Sequence, residues 1–96
     1  MKVVFSALAS IGIEEIGDYI AQDNPLRAYS FVRELRAKAT DIGRLPYAFP
    51  VVAGLERKRI RRRPHGDYVI LYTIEDDRIV IVLVTHAARD WQGLFR

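Results

Sequence analysis

The chain has no cysteine, which excludes disulfides, thiolate nucleophiles and thiolate metal sites. It has no long apolar run either. The longest, Ile79 to Val84, is the size of a strand, whereas a membrane-spanning helix needs roughly 20 residues. The N-terminus, Met1-Lys2-Val3-Val4-Phe5, meets Glu14, Glu15 and Asp18 too soon to hold a signal-peptide apolar region and cleavage site. Histidines are scarce: His65 and His86, with scattered acids, match no metal-ligand spacing. A glycine-rich phosphate loop is also missing. These absences lead us to expect a cytoplasmic protein with no membrane segment, no metal and no cofactor.

What is present is an ordinary globular composition. Of the 96 residues, 50% are hydrophobic and 28% charged, which suits one domain over residues 1–96. The net charge of +3 is unevenly placed. Residues 1–48 hold six basic and six acidic side chains, and residues 49–96 hold nine and six. Arg57, Lys58, Arg59, Arg61, Arg62 and Arg63 put six cations into seven positions. Such a run fits an anionic partner, either a phosphate backbone or an acidic protein segment, or else a solvated face.

Hydrophobic periodicity orders the elements. Lys2 to Phe5 reads as a short strand. Ala9, Ile13, Ile16 and Ile20 make one face of a helix, which Gly12 and Gly17 weaken by up to about 1 kcal/mol each. Asn24 and Pro25 form the N-cap and first position of a second helix, with the stripe Ala28, Phe31, Val32, Leu35, Ala39 and Ile42. Gly43 suits its left-handed C-terminal position. A loop rich in Pro and aromatics follows, then a strand over Lys58 to Arg63, a turn at 64–67, and strands Tyr68 to Glu75 and Arg78 to Thr85 joined at Asp76-Asp77. Ile79 to Val84 is apolar at every position, which predicts a central strand covered on both faces. Ala87 to Phe95 is a short closing segment. The fold class predicted is α+β: an N-terminal strand and an antiparallel helical hairpin on a mostly antiparallel sheet of three to four strands.

Several motifs, in this order, resemble the ParE branch of the ParE/RelE toxin superfamily. They are Ile16-Gly17-Asp18-Tyr19-Ile20-Ala21 with Asp23-Asn24-Pro25, then Leu45-Pro46 and Gly54-Leu55, then Tyr68-Val69-Ile70-Leu71-Tyr72, and finally Val84-Thr85-His86-Ala87-Ala88-Arg89-Asp90. Gly12 departs from the family, which often has an acidic residue there. The resemblance implies the toxin of a type II toxin–antitoxin system that arrests growth by binding DNA gyrase and is neutralised by a ParD-like antitoxin. It implies no direct nucleic-acid contact except through that antitoxin. The antitoxin would join a DNA-binding part to a flexible tail that orders on the toxin.

The alternative is a ribosome-dependent mRNA endonuclease of RelE type, and the residues can be asked which they suit. By resemblance Arg59, Arg61 and Arg89 stand at basic positions of the nuclease. Arginine stabilises phosphate charge but stays protonated, so it is a poor general base. Another nuclease arginine is replaced by Val69, and the C-terminal tyrosine falls at or near Phe95, which has no hydroxyl. His65 and His86 could titrate in a useful range, but nothing in the pattern makes them meet; His86 could instead contact Asp90. On a strand, Arg59, Arg61 and Arg63 would share one face, with Lys58, Ile60 and Arg62 on the other. We therefore expect no catalytic residues and nominate Arg59, Arg61, Arg63, His86, Arg89, Trp91 and Phe95 as target- or antitoxin-binding. Trp91, Leu94 and Phe95 equally suit closing the core.

Overall fold

The computed structural model describes residues 1–96, and its helices begin where side chains can cap them. Strand β1 (Lys2–Phe5) ends at Ser6, whose hydroxyl accepts the Ala9 N–H at 3.0 Å and starts helix α1 (Ala7–Ala21). Asn24 accepts the Arg27 N–H at 3.0 Å, and Pro25 opens helix α2 (Pro25–Asp41), as the sequence predicts. Each cap contributes about 1 kcal/mol. Ala9, Ile13 and Ile16 of α1 and Ala28, Phe31, Leu35 and Ala39 of α2 are buried, so both stripes face inward.

Gly43 serves a different purpose from a left-handed cap. Helix α2 runs on into a 3₁₀ turn, Ile42–Arg44. A Cβ on Gly43 would lie 2.5 Å from the Met1 carbonyl oxygen, so glycine is needed there for close approach. The Met1 ammonium donates to the Gly43 carbonyl at 2.9 Å, tying the start of β1 to the end of the hairpin.

Three strands complete the sheet: β2 (Arg61–His65), β3 (Tyr68–Glu75) and β4 (Arg78–His86). Its order is β1-β4-β3-β2, with β1 parallel to β4 and the other pairs antiparallel. Asp76 and Asp77 both have positive φ, 48° and 66°, as the tight hairpin turn requires. Strand β4 is central. A bulge opposite Leu71 and Tyr72 leaves Val82 without a cross-strand partner, and this changes the parity of the strand. Ile79, Ile81 and Val84 pack toward the helices, while Val82 and Leu83 pack on the other face. The unbroken apolar run follows from that double duty.

The face away from the helices is covered as well. Val52, Leu55 and Ile60 from the loop and Trp91 from the closing segment cluster on Val69, Leu71 and Leu83. This second cluster displaces the predicted second strand. Lys58 ends a 3₁₀ turn (Glu56–Lys58), and Arg59 follows in the left-handed region at φ 56°. Ile60 is buried under the loop, and β2 begins only at Arg61. The outer edge of β2 is guarded: the Arg62 N–H donates to the Pro50 carbonyl, the Val52 N–H to the Ile60 carbonyl, and Pro64 offers no donor.

Candidate functional site

The basic run divides into side chains that hold the fold and side chains left free. Arg61 and Arg63 lie opposite Tyr72 and Ile70, both in the helix-side cluster, so they point toward the helices. The Arg61 guanidinium donates to the Phe49 carbonyl at 2.7 Å and sits 5.2 Å over the Tyr47 ring. Arg63 lies 4.7 Å over Phe49, donates to the Lys38 carbonyl at 3.0 Å and pairs with Asp41 at 3.4 Å. Tyr72 donates to the Pro46 carbonyl at 2.7 Å, and burial pushes its phenol above the usual range. Together these groups lock the loop at 45–50 onto the sheet. Arg59 is not in their row, because its left-handed backbone takes it out of the strand. Arg57, Lys58 and Arg59 form an exposed knuckle with no acidic partner, since Glu56 accepts from the Gly54 N–H instead. Within β2, Arg62 is the basic residue that points away from the helices, opposite Leu71.

The histidines stand on either side of Tyr68 without touching. His65 Nε2 is 3.3 Å from Glu34, and the imidazole stacks 5.4 Å from Phe31. The Tyr68 ring lies 5.3 Å from Phe31 and 5.3 Å from His86. Glu34 also pairs with Arg27. That hydrogen bond is the main reason its carboxyl titrates below its ordinary value; partial burial opposes the shift and His65 adds to it. His86 turns its Nδ1 back to accept the Ala88 N–H at 3.1 Å. Asp90 accepts from the Gly93 N–H, so the His86–Asp90 contact open to the sequence is not made.

At the C-terminus Trp91 is 3% exposed within the second cluster and Phe95 is half-buried against it, while Leu94 stays exposed. Arg89 and His86 rim a groove of about 620 Å³ between α1 and the end of β4. The opposite wall carries Leu8, Ile11, Glu15 and Tyr19. Sequence reading missed this wall, although its signal was there: a second apolar stripe on α1 beside the buried one. Elsewhere, no cluster of three or more His, Asp or Glu could hold a metal ion. No helix is long and apolar enough to cross a membrane.

The geometry divides the nominated residues. Arg61 and Arg63 are committed to the 45–50 loop and Trp91 to the second core. His86 and Arg89 come together at the groove, Phe95 lies at the core margin, and Arg59 stands alone on the knuckle.

Comparison with known proteins agrees with this fold. The model of the ParE toxin of type II toxin–antitoxin systems, parDE, matches residues 3–91. Toxin RelE2 of Caulobacter vibrioides is 31% identical over 88 residues, spanning 92% of this chain and 97% of its own length. Among solved structures, a chromosomal ParDE system from P. aeruginosa superposes with a TM-score of 0.78 at 12% identity, over 90% of this chain and 95% of that one. The RelBE2 toxin–antitoxin complex from Mycobacterium tuberculosis gives 0.66 at 22% identity, over 88% and 95%. The chain therefore belongs to the ParE toxin family, as the toxin of a type II toxin–antitoxin system.

Proposed function

We propose that this toxin acts in the cytoplasm by binding DNA gyrase, without chemistry of its own, and that a ParD-like antitoxin neutralises it. The observation that carries the reading is the occupied far face of the sheet. Where a nuclease of this superfamily would need polar groups around a phosphate, Val69 is buried with Leu71, Leu83 and Trp91. Arg61 is engaged with the Phe49 carbonyl on the other face. Phe95 has no hydroxyl to offer. A general base, an acid and charge stabilisation must converge within hydrogen-bond reach of one reacting group, and the available cations are dispersed. The antitoxin half of the proposal is supported by the two solved relatives, which are described as toxin–antitoxin systems or complexes.

The mRNA-endonuclease reading has one observation in its favour, the 31% identity to a protein named RelE2. Induction in cells separates the two. Gyrase binding should arrest growth with double-strand breaks in the chromosome and intact mRNA, and co-expressed antitoxin should restore growth. Cleaved mRNA with an unbroken chromosome would transfer the function to the ribosome.

A further inference from the structure

Of the six cations at 57–63, the fold engages Arg61 and Arg63, through carbonyls and aromatic rings on the helix side. The other four are left over. Arg57, Lys58 and Arg59 are exposed and Arg62 is half-buried, and none of the four has an acidic or aromatic partner. Glu56, the neighbouring acid, is turned away: both of its carboxylate oxygens accept the Gly54 N–H, at 2.9 and 3.2 Å. Arg59 holds a left-handed backbone at φ 56°, a conformation that glycine adopts freely and arginine only under strain. No side-chain contact of Arg59 within the chain offsets that strain. We propose that this knuckle grips the phosphate backbone of duplex DNA without reading its sequence. The contact differs from one made only through an antitoxin, and it does not depend on gyrase being the target.

The distribution of charge orients such a partner. Residues 3–26 hold four acidic side chains, Glu14, Glu15, Asp18 and Asp23, and no Lys or Arg. Helix α1 packs on the helix-side core, whereas Leu55 and Ile60, which bracket the knuckle, belong to the far-face cluster. The acids of α1 and the free cations therefore stand on opposite sides of the sheet, so a polyanion is drawn to the knuckle and repelled from α1. The surroundings of the knuckle then select among polyanions. A single strand needs exposed rings on which its bases stack, but Trp91 of the far-face cluster is 3% exposed and Phe95 packs against it. An acidic protein segment needs apolar anchors beside the charge, and Val52, Leu55 and Ile60 are all buried. A duplex needs neither, because its closely spaced phosphates are held by charge alone.

The test is binding of the full, antitoxin-free chain to a short DNA duplex of random sequence, followed as salt is raised. Each phosphate neutralised adds about −0.9 to the slope of log K against log salt, so four cations give about −3.6. Affinity then falls about a hundredfold between about 50 and about 200 mM salt. The variant Arg57→Gln with Lys58→Gln and Arg59→Gly leaves Arg61, Arg62 and Arg63 in place. It is expected to bind at least tenfold more weakly at low salt, with a slope of about −0.9. Its melting temperature should stay close to wild type; if it melts early, Lys58→Gln alone decides, with a slope shallower by about 0.9. A wild-type slope in a folded variant overturns the knuckle contact, and so does a wild-type chain that fails to bind duplex at low salt. Tighter binding to a single strand of the same sequence, or to polyglutamate, overturns the choice of duplex and assigns the surface to RNA or to an acidic protein. Repeating the series on gyrase-bound and on antitoxin-bound duplex shows which one the knuckle meets; a slope unchanged by the variant on both overturns the contact.

Discussion

Replacing Gly12 by alanine sets two physical rules against each other, and the structure determines the sign. Gly12 lies inside α1, where alanine normally gains about 0.5–1 kcal/mol over glycine. Its new Cβ would sit 2.2 Å from the Val84 carbonyl oxygen, a backbone atom of the central strand. A comfortable carbon–oxygen contact is about 3.3 Å, so α1 must move off β4 by about 1 Å. Overpacking of this kind costs about 1–3 kcal/mol. The expected net effect of Gly12→Ala is a loss of about 1–2 kcal/mol in urea unfolding, and a melting temperature lower by about 5–15 °C. Gly17→Ala is the control. Its Cβ would lie 2.9 Å from Val32 Cγ2, a side-chain atom and not the backbone of the central strand, so its loss of stability should be smaller than that of Gly12→Ala. A Gly12→Ala protein more stable than wild type would refute the close approach of α1 to β4 and the roofing of β4 that follows from it.

Other substitutions separate structural residues from free ones. Trp91→Ala should cost about 3–5 kcal/mol in chemical unfolding, because the indole closes the far-face cluster; a loss below about 1 kcal/mol would mean that the cluster closes without it. Arg63→Ala should destabilise by about 1–3 kcal/mol through its lost contacts to Phe49, Lys38 and Asp41. Arg59→Gly should be neutral or stabilising by up to about 1 kcal/mol, because Arg59 holds a left-handed backbone conformation at φ 56°. Glu34 has a folded pKa below its ordinary 4.5. Its contribution is therefore present above that pH and is lost as pH falls through the lower folded value. Glu34→Gln should flatten the acid limb of a stability–pH curve below about pH 4.5, and an unchanged limb would contradict the Arg27–Glu34–His65 cluster.

The elements governed by local chemistry were legible from the residues alone. Helix α2 announces itself through Asn24, Pro25 and a clean apolar stripe, and the β3–β4 hairpin through Asp76-Asp77 between two apolar strands. The failures were failures of tertiary context. The run 57–63 has no alternation to set a register, so nothing local showed that Ile60 would be drawn under the loop and β2 would start three residues later than Lys58. That Arg61 and Arg63 serve the fold depends on carbonyls at Phe49 and Lys38, 12 and 25 positions away. Nor could an all-apolar β4 disclose the bulge at Val82. At the candidate groove His86 and Arg89 were nominated, but the α1 wall was not. Leu8, Ile11 and Tyr19 looked like ordinary helix surface until the fold left them uncovered.

The most direct measurement of how the toxin works is a supercoiling and cleavage assay with purified gyrase, ATP, plasmid and the antitoxin-free protein. Inhibited supercoiling or trapped double-strand breaks, relieved by adding antitoxin, is the expected result. Unimpaired gyrase at a severalfold excess of toxin, with mRNA cut when ribosomes are supplied instead, would contradict it.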